Sequence, residues 1–286
     1  MESRGLKVAL CLLALPVFFR LGAGIPANAA EPCGDEACLT CHEEQGSQIA
    51  ASIHGGGIGS ESAAWGCESC HGPSPGHCDD PEAVAPMVAF RDTDPAEERL
   101  AMCMSCHAAG QKGAHFNGSP HLKGGVTCEQ CHQPHYSATR DRLLPAKVSS
   151  VCLDCHQEKL ALSLLNERHR MLEEMVSCID CHDQHGPSAR AQLGGFKQEM
   201  CYKCHTDKQG PFLYEHLAVR IERCSSCHDP HGSVNRHLLH YQSTADLCYS
   251  CHVWVPGFHT RFTNETQCTN CHVTIHGSNL DPAFLD

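Results

Sequence analysis

The chain has 286 residues, a formal net charge of −12, 23 cysteines and 23 histidines, whereas aromatic residues make up only 6%. An acidic chain of this kind is a poor ligand for nucleic acids, whose phosphates require basic surfaces. Its mean hydropathy of −0.31 also argues against an interior built from its own apolar side chains, although the length would allow one large domain. The excess of cysteine and histidine indicates that another group fills the interior.

The N-terminus has the features of a secretory signal peptide. Basic residues precede an apolar run from Val8 to Phe19, and Ala27-Asn28-Ala29 offers a small-residue cleavage site. A retained anchor is the alternative, but the run is short for a membrane span. We therefore predict a signal peptide over residues 1–29 and a mature domain over residues 30–286 that lies outside the cytoplasm.

Ten C-x-x-C-H motifs follow one another along the chain, and we number them 1 to 10 in chain order. Two thiols three positions apart can reach the two vinyl groups on one porphyrin edge, and the adjacent imidazole can then bind the iron. A zinc knuckle, a redox dithiol or a disulfide framework would leave the invariable histidine without a role. The pattern predicts ten covalently attached c-type haems. The predicted thioether residues are Cys38, Cys41, Cys67, Cys70, Cys103, Cys106, Cys128, Cys131, Cys152, Cys155, Cys178, Cys181, Cys201, Cys204, Cys224, Cys227, Cys248, Cys251, Cys268 and Cys271. The predicted proximal iron ligands are His42, His71, His107, His132, His156, His182, His205, His228, His252 and His272.

Most of the remaining histidines are placed regularly enough to supply the second axial ligand. One precedes and one follows each even-numbered motif, which predicts bis-histidine coordination of all ten irons. Those that follow the motif histidine by three or four residues cannot reach the opposite face of the same haem, so each is expected to ligate a neighbouring haem. A propionate contact or a turn cap is the alternative role, and Met102, Met104 or Met200 is the alternative type of ligand. The predicted distal ligands are His54, His77, His121, His135, His169, His185, His216, His231, His259 and His276.

Five further cysteines and histidines of the predicted mature chain fall outside this pattern. His115, His237 and His240 are expected to be surface residues or propionate partners. Cys33 and Cys78 either form one disulfide or remain free thiols.

The spacing of the motifs predicts the fold class. Five two-haem units are expected, at about 33–78, 95–140, 148–190, 197–240 and 244–280. With so few residues per haem, the porphyrins must form the core. We predict a multihaem cytochrome c that is mostly irregular, with a few short α-helices, an elongated haem array and little or no β-sheet. One helix is expected to begin at Asp94-Pro95, and leucines and methionines at helical spacing predict another over 159–176.

Irons with two protein ligands have no open position for a substrate, so the predicted function is electron transfer and not catalysis. A soluble periplasmic shuttle or store of electrons is one alternative. A multihaem reductase with an open haem is another. That enzyme class commonly has a lysine in place of one motif histidine, and no motif here shows this replacement.

The sequence resembles the MtrA/DmsE-type periplasmic decahaem cytochromes, which belong to outer-membrane porin–cytochrome electron conduits. The resemblance covers essentially the whole mature chain, and its most specific stretches are Gly210-Pro-Phe-Leu-Tyr-Glu-His216 and Cys224-Ser-Ser-Cys-His-Asp-Pro-His-Gly-Ser-Val-Asn235. It implies a haem wire that enters an outer-membrane β-barrel porin. Its implied partners are an extracellular cytochrome or reductase and periplasmic or inner-membrane electron-donor cytochromes. It also implies His216 and His231 as distal ligands, and the chain departs from it at Cys33, Cys78 and the loop around His77.

Overall fold

The computed structural model describes residues 31–55, 66–110, 115–137, 142–186, 198–261 and 266–285. The predicted signal peptide lies outside these ranges. Within them, no helix is long and apolar enough to cross a membrane.

Short helices separated by turns and irregular segments make up the described chain. The α-helices are α1 (Asp35–Leu39), α2 (Glu43–Ala51), α3 (Glu68–His71), α4 (Pro75–Asp79), α5 (Ala96–His107), α6 (Pro120–Lys123), α7 (Val148–Leu153), α8 (Gln157–Ser163), α9 (Cys178–Cys181), α10 (Glu199–Tyr202), α11 (Leu217–Ile221) and α12 (Thr244–Tyr249). Single 3-10 turns cover Cys128–Gln130, Thr206–Lys208, Cys224–Ser226, Arg236–Leu238, Gly257–Arg261 and Cys268–Asn270. Helices that carry successive motifs pack together, such as α3 with α5, α7 with α9 and α9 with α10.

Strand structure is limited to one small sheet in the described residues. Strand β1 (Tyr214–Glu215) pairs antiparallel with β2 (Gly277–Ser278). Gly277 has a φ of +151°, and a Cβ at this position would overlap the ring of Phe212, so glycine is required here. The predicted fold class, mostly irregular with short helices and very little sheet, is confirmed.

The polypeptide forms only a small apolar core. Few apolar side chains are buried in the described ranges, namely Ile49, Val88, Phe116, Leu143, Leu144 and Ala245. The largest fully buried side chains are instead polar: Thr127, Ser119 and Ser163. Larger apolar residues such as Leu164 (66% exposed) and Met175 (73% exposed) lie at the protein surface. Contacts within the polypeptide alone therefore supply little of the hydrophobic stabilisation that a chain of this length needs.

Helix α5 begins one residue later than expected. Pro95 occupies the position before its first helical residue, Ala96, and has an extended conformation. The side chain of Asp94 does not cap the helix, because its Oδ2 accepts hydrogen bonds from the backbone N–H groups of Ala89 and Arg91. Asp94 therefore closes the turn that leads into the helix.

The helix predicted over 159–176 is wrong beyond its first turns. Helix α8 ends at Ser163, and Glu167 then pairs through its backbone with Ser233, at 3.1 and 2.8 Å. Gly232 permits this approach, because a Cβ there would lie 2.0 Å from the carbonyl oxygen of Leu162. The apolar residues do recur at helical spacing, but a backbone contact with a distant segment replaces the helix here. His169 therefore lies outside any helix.

A buried ion pair joins α5 to motif 4. Nη1 of Arg99 bonds to Oε1 of Glu129, and the side chains are only 6% and 15% exposed. The hydroxyl of Thr127 donates to the same carboxylate oxygen. This arrangement ties motif 3, which lies on α5, to motif 4.

Substituting only one partner of this pair is expected to be costly. Arg99→Leu leaves a buried carboxylate without its counter-ion, and we expect the free energy of unfolding to fall by about 3–5 kcal/mol. The double variant Arg99→Leu/Glu129→Leu removes both charges and should lose much less. Guanidinium denaturation of the haem-loaded protein measures both values. Equal losses in the two variants would contradict the expectation.

Candidate functional site

The motifs share one local conformation. In nine of them the backbone N–H of the histidine donates to the carbonyl of the first cysteine, with N···O distances of 2.8–3.1 Å. The remaining motif, Cys103–His107, forms the last turns of α5. Residues three apart lie on the same side of such a turn, so the two thiols of each motif face one way with the imidazole beside them. This is the arrangement that a thioether-bound porphyrin needs.

Each proximal histidine faces one of the predicted distal histidines. The two ring centroids are 5.9–6.3 Å apart in every case. Two metal–nitrogen bonds of about 2 Å plus two ring radii of about 1 Å give about 6 Å, so the gap fits one iron held between two imidazoles. The pairs are His42–His77, His71–His135, His107–His54, His132–His185, His156–His121, His182–His231, His205–His169, His228–His276, His252–His216 and His272–His259.

The pairs connect neighbouring units in both directions. A histidine that precedes an even motif faces the odd motif of the next unit, as His121 faces His156. A histidine that follows an even motif faces the even motif of the previous unit, as His231 faces His182. Only in the first and last units do both histidines of a pair come from the same unit, where His77 faces His42 and His259 faces His272. The predicted units therefore interlock.

Backbone carbonyls orient many of these rings. A carbonyl oxygen can only accept a hydrogen bond, so Nδ1 is the donor and Nε2 keeps its lone pair for a metal. The Nδ1···O distances are 2.6–3.3 Å, with these partners: His71 to Val88, His77 to Val84, His121 to Gln184, His132 to Arg142, His135 to Gln45, His169 to Pro230, His228 to His237 and His272 to Ala283.

The cysteines place the motifs in chain order. Within each unit, the side chain of the first cysteine of the odd motif lies next to that of the first cysteine of the even motif, as in Cys103 and Cys128. Between units, the second cysteines are close enough to interact electrostatically, as are Cys70 and Cys106. Each motif thus adjoins the one before it and the one after it, from motif 1 to motif 10.

Comparisons with known proteins match the motifs described above. A family model described as "Doubled CXXCH motif" matches residues 120–161, 169–210 and 216–256, and one described as "Cytochrome c554 and c-prime" matches residues 79–133. "Multiheme cytochrome MtrA" of Shewanella baltica is 35% identical over 271 residues, which cover 87% of this chain and 79% of that protein.

The chain belongs to the MtrA family of multihaem c-type cytochromes.

Membership of the MtrA family makes the chain a haem-c-containing electron-transfer protein and not an enzyme. "C-type polyheme cytochrome OmcB" of Geobacter sulfurreducens is a more distant relative, 24% identical over 228 residues, and this chain spans only 26% of its length. The resemblance seen in the sequence is confirmed at the level of the family.

The doubled-motif matches are one motif out of phase with the units predicted for this MtrA-family chain. Each match begins at or next to a candidate distal histidine and joins an even motif to the following odd motif. The match over 120–161 therefore contains both members of the His121–His156 pair. The family repeat corresponds to one histidine pair that spans two units, whereas the contacts between first cysteines join the two motifs within a unit.

Four even motifs of this MtrA-family protein share a device that the sequence analysis missed. In each, the backbone carbonyl that accepts the hydrogen bond from Nδ1 of the motif histidine lies one or two residues before an apolar residue with positive φ. Those residues are Phe90 (56°), Leu143 (53°), Leu238 (60°) and Phe284 (61°). The chain thereby turns back onto its own motif, as when the N–H of Gln133 donates to the carbonyl of Leu143 at 2.7 Å. A Leu-Leu or Phe-Leu pair downstream of motifs 4, 8 and 10 was the available signal.

Burial favours the form of imidazole that binds iron. It lowers the pKa of His54, His71, His182, His216, His231 and His276, and that of His276 falls to about 4. These rings stay neutral at physiological pH, as a metal ligand must.

The residues outside the histidine pattern have different surroundings. Cys33 and Cys78 form a disulfide, which settles the two alternatives left by the sequence. His115, His237 and His240 are exposed. Nε2 of His240 bonds to the carbonyl of Ser225. The backbone of His237 accepts from Nδ1 of His228 through its carbonyl and donates from its N–H to Oε2 of Glu167.

Proposed function

We propose that this MtrA-family chain carries ten haems, each bound by the two cysteines of one motif and by one of the ten histidine pairs. The main support is that the ring centroids of all ten histidine pairs lie at nearly the same distance, 5.9–6.3 Å. The ring hydrogen bonds that direct Nε2 toward the gap add independent support. The unit boundaries predicted from the sequence and the signal peptide over residues 1–29 are part of this proposal.

Electron transfer follows from this arrangement. Bound haem supplies an iron that changes its charge by one electron, and two histidines leave it no vacant position for a substrate. The polypeptide holds successive motifs in contact, which keeps the path between neighbouring porphyrin edges short. Electrons pass from motif to motif in chain order, and motifs 1 and 10 are the points of entry and exit.

The proposed setting is a conduit across the outer membrane. Family membership and the export signal support a periplasmic protein that joins an outer-membrane β-barrel porin. An extracellular cytochrome or reductase lies on one side of that porin, and periplasmic or inner-membrane cytochromes donate electrons on the other.

Gentle solubilisation of outer membranes tests the setting. A conduit component is expected to co-purify with a β-barrel protein in a fixed ratio, and the complex should survive salt that strips peripheral proteins. Recovery only as a free periplasmic monomer would instead favour the soluble shuttle.

A ligand substitution tests the exchange between units. His231→Ala is expected to convert one haem in ten to the high-spin ferric state, measured by electron paramagnetic resonance (EPR). The opened haem should be that of motif 6, because His231 faces His182 and not His228. His240→Ala, which changes a histidine outside the pairs, is the control and should leave every haem low-spin.

Two backgrounds that each lack one haem identify which haem opens. In Cys178→Ala/Cys181→Ala, without the haem of motif 6, adding His231→Ala should create no high-spin signal beyond the background's own. In Cys224→Ala/Cys227→Ala, without the haem of motif 8, it should create one. The reverse result would assign His231 to its own motif and refute the interlocked ligation.

A further inference from the structure

The disulfide joins the two sides of the first histidine pair. Cys33 lies just before motif 1, which carries His42, and Cys78 is the direct neighbour of His77. His42 and His77 face each other at 6.3 Å. The covalent link therefore runs from the proximal side of this site to its candidate distal ligand across 45 residues of sequence.

In the part of the chain that the structure describes, the hydrogen bonds that join the His77 loop to its surroundings lie at the base of the loop. At the base, the N–H of Val88 donates to the carbonyl of His71, and the N–H of Met87 donates to the hydroxyl of Ser74, both at 3.0 Å. The tip contains the five-residue helix α4 with His77 and Cys78. The N–H groups of His77 and Cys78 donate to the carbonyl of Ser74 within the same loop, at 3.0 and 3.1 Å. The disulfide is the covalent link between this helix and the segment before motif 1.

The segment that contains Cys33 is well anchored. The carboxylate of Glu68 accepts hydrogen bonds from the N–H groups of Cys33 and Gly34, at 3.1 and 3.2 Å, and also from Ser74 at the loop base. The side chain of Asp35 receives the N–H of Cys67 at 2.8 Å. The disulfide extends this anchorage from Cys33 to the tip.

The ring of His77 has a local hydrogen bond, whereas three other predicted distal histidines have remote ones. Nδ1 bonds to a carbonyl 61 residues away in His169, 63 away in His121 and 90 away in His135. These bonds fix the ring to another part of the fold. In His77 the acceptor is Val84, only 7 residues away and within the same loop. This bond orients the ring but does not tie the loop to motif 1.

We propose that the Cys33–Cys78 disulfide positions His77 on the iron of the first haem, and that its reduction opens this haem to an external ligand. The inference rests on the proposed ligation of motif 1. Cleavage needs a dithiol reductant: the S–S bond accepts two electrons and two protons to give two thiols, and the dithiol becomes a disulfide. Cys78 is exposed, so such a reagent can reach the bond. Without the link the tip regains the conformational freedom that the cross-link removed.

Spin state and carbon monoxide binding test the proposal in the full haem-loaded chain. In Cys33→Ser/Cys78→Ser we expect one haem in ten to give a high-spin ferric signal and, when reduced, to bind carbon monoxide. The wild-type protein with its disulfide intact should bind none. Ten low-spin haems and no carbon monoxide binding in the double variant would overturn the proposal.

Two further samples separate the role of the disulfide from that of the ligand. His77→Ala should open one haem whether or not the disulfide is present. If it does so while every haem of the double serine variant stays low-spin, the ligation by His77 stands and the positioning role of the disulfide is refuted. If His77→Ala opens no haem, the assignment of His77 as a ligand is wrong, and the proposed role of the disulfide is refuted as well.

Wild-type protein treated with a dithiol avoids any effect of substitution on folding. Alkylation of Cys33 and Cys78 traps the thiols before the haems are reoxidised, and mass spectrometry confirms the modification. The same single high-spin haem should appear in this sample. Ten low-spin haems after complete alkylation would contradict the proposal.

Discussion

Removing the haem of motif 6 is expected to lower electron transfer between the two ends of the chain by orders of magnitude. The cysteine contacts place each motif beside its predecessor and its successor, as Cys152 adjoins Cys178 and Cys181 adjoins Cys204. Tunnelling falls off exponentially with distance, so in the proposed chain-order path a missing porphyrin in the middle should leave a gap that slows transfer strongly. Cys178→Ala/Cys181→Ala makes this deletion.

Single molecules held between two electrodes measure the effect. Tags near residues 31 and 285 attach the two ends, and the current through the variant is compared with that through the wild type. Mass spectrometry verifies that exactly one haem has been lost. His240→Ala is the matched control and should conduct like the wild type. An undiminished current in the deletion variant would show that electrons bypass motif 6, which contradicts transfer in chain order.

Preventing haem attachment is expected to leave the whole chain unfolded. The described polypeptide buries few apolar side chains, and several of its larger apolar residues are exposed. Burial of apolar surface is the dominant favourable term in folding, and here most of it must come from contact with porphyrin. Chain entropy then outweighs what remains. Folding and haem attachment should therefore be inseparable, as they are in other small-core proteins that bind their cofactor on folding.

Expression without the haem-attachment machinery provides the apo-chain for this test. Its circular dichroism should lack the helical signal of the haem-loaded protein. Its radius of gyration should approach the value of about 60 Å that is expected for an unfolded chain of this length. The same chain with haem attached is the control. A compact apo-protein that unfolds cooperatively would show that the polypeptide has a sufficient core of its own.

The sequence predicted the composition of the site better than its connections. Counting motifs and spare histidines gave both members of every pair, since C-x-x-C-H is a local pattern with a local cause. The separation of His135 from His132 excluded ligation of the same haem, but no spacing could say that His135 faces His71. That choice depends on the path of the intervening loops, which long-range backbone contacts determine.

The failures have the same origin. The segment 159–176 has helical periodicity, yet its backbone pairs with Ser233, a contact that no local pattern contains. The carbonyls that orient the motif histidines are chemically identical along the whole chain, so only the folded structure distinguishes Val88 or Arg142 from any other residue. Both thiol states of Cys33 and Cys78 were compatible with the sequence for the same reason.

The central claim is that ten haems are each held between two histidines. EPR and near-infrared magnetic circular dichroism of the fully oxidised wild-type protein, combined with the intact mass, test it most directly. We expect a mass that corresponds to ten haems and the spectra of ten low-spin, bis-histidine irons. A smaller haem count, a methionine-ligated haem or a stoichiometric high-spin ferric signal would contradict it.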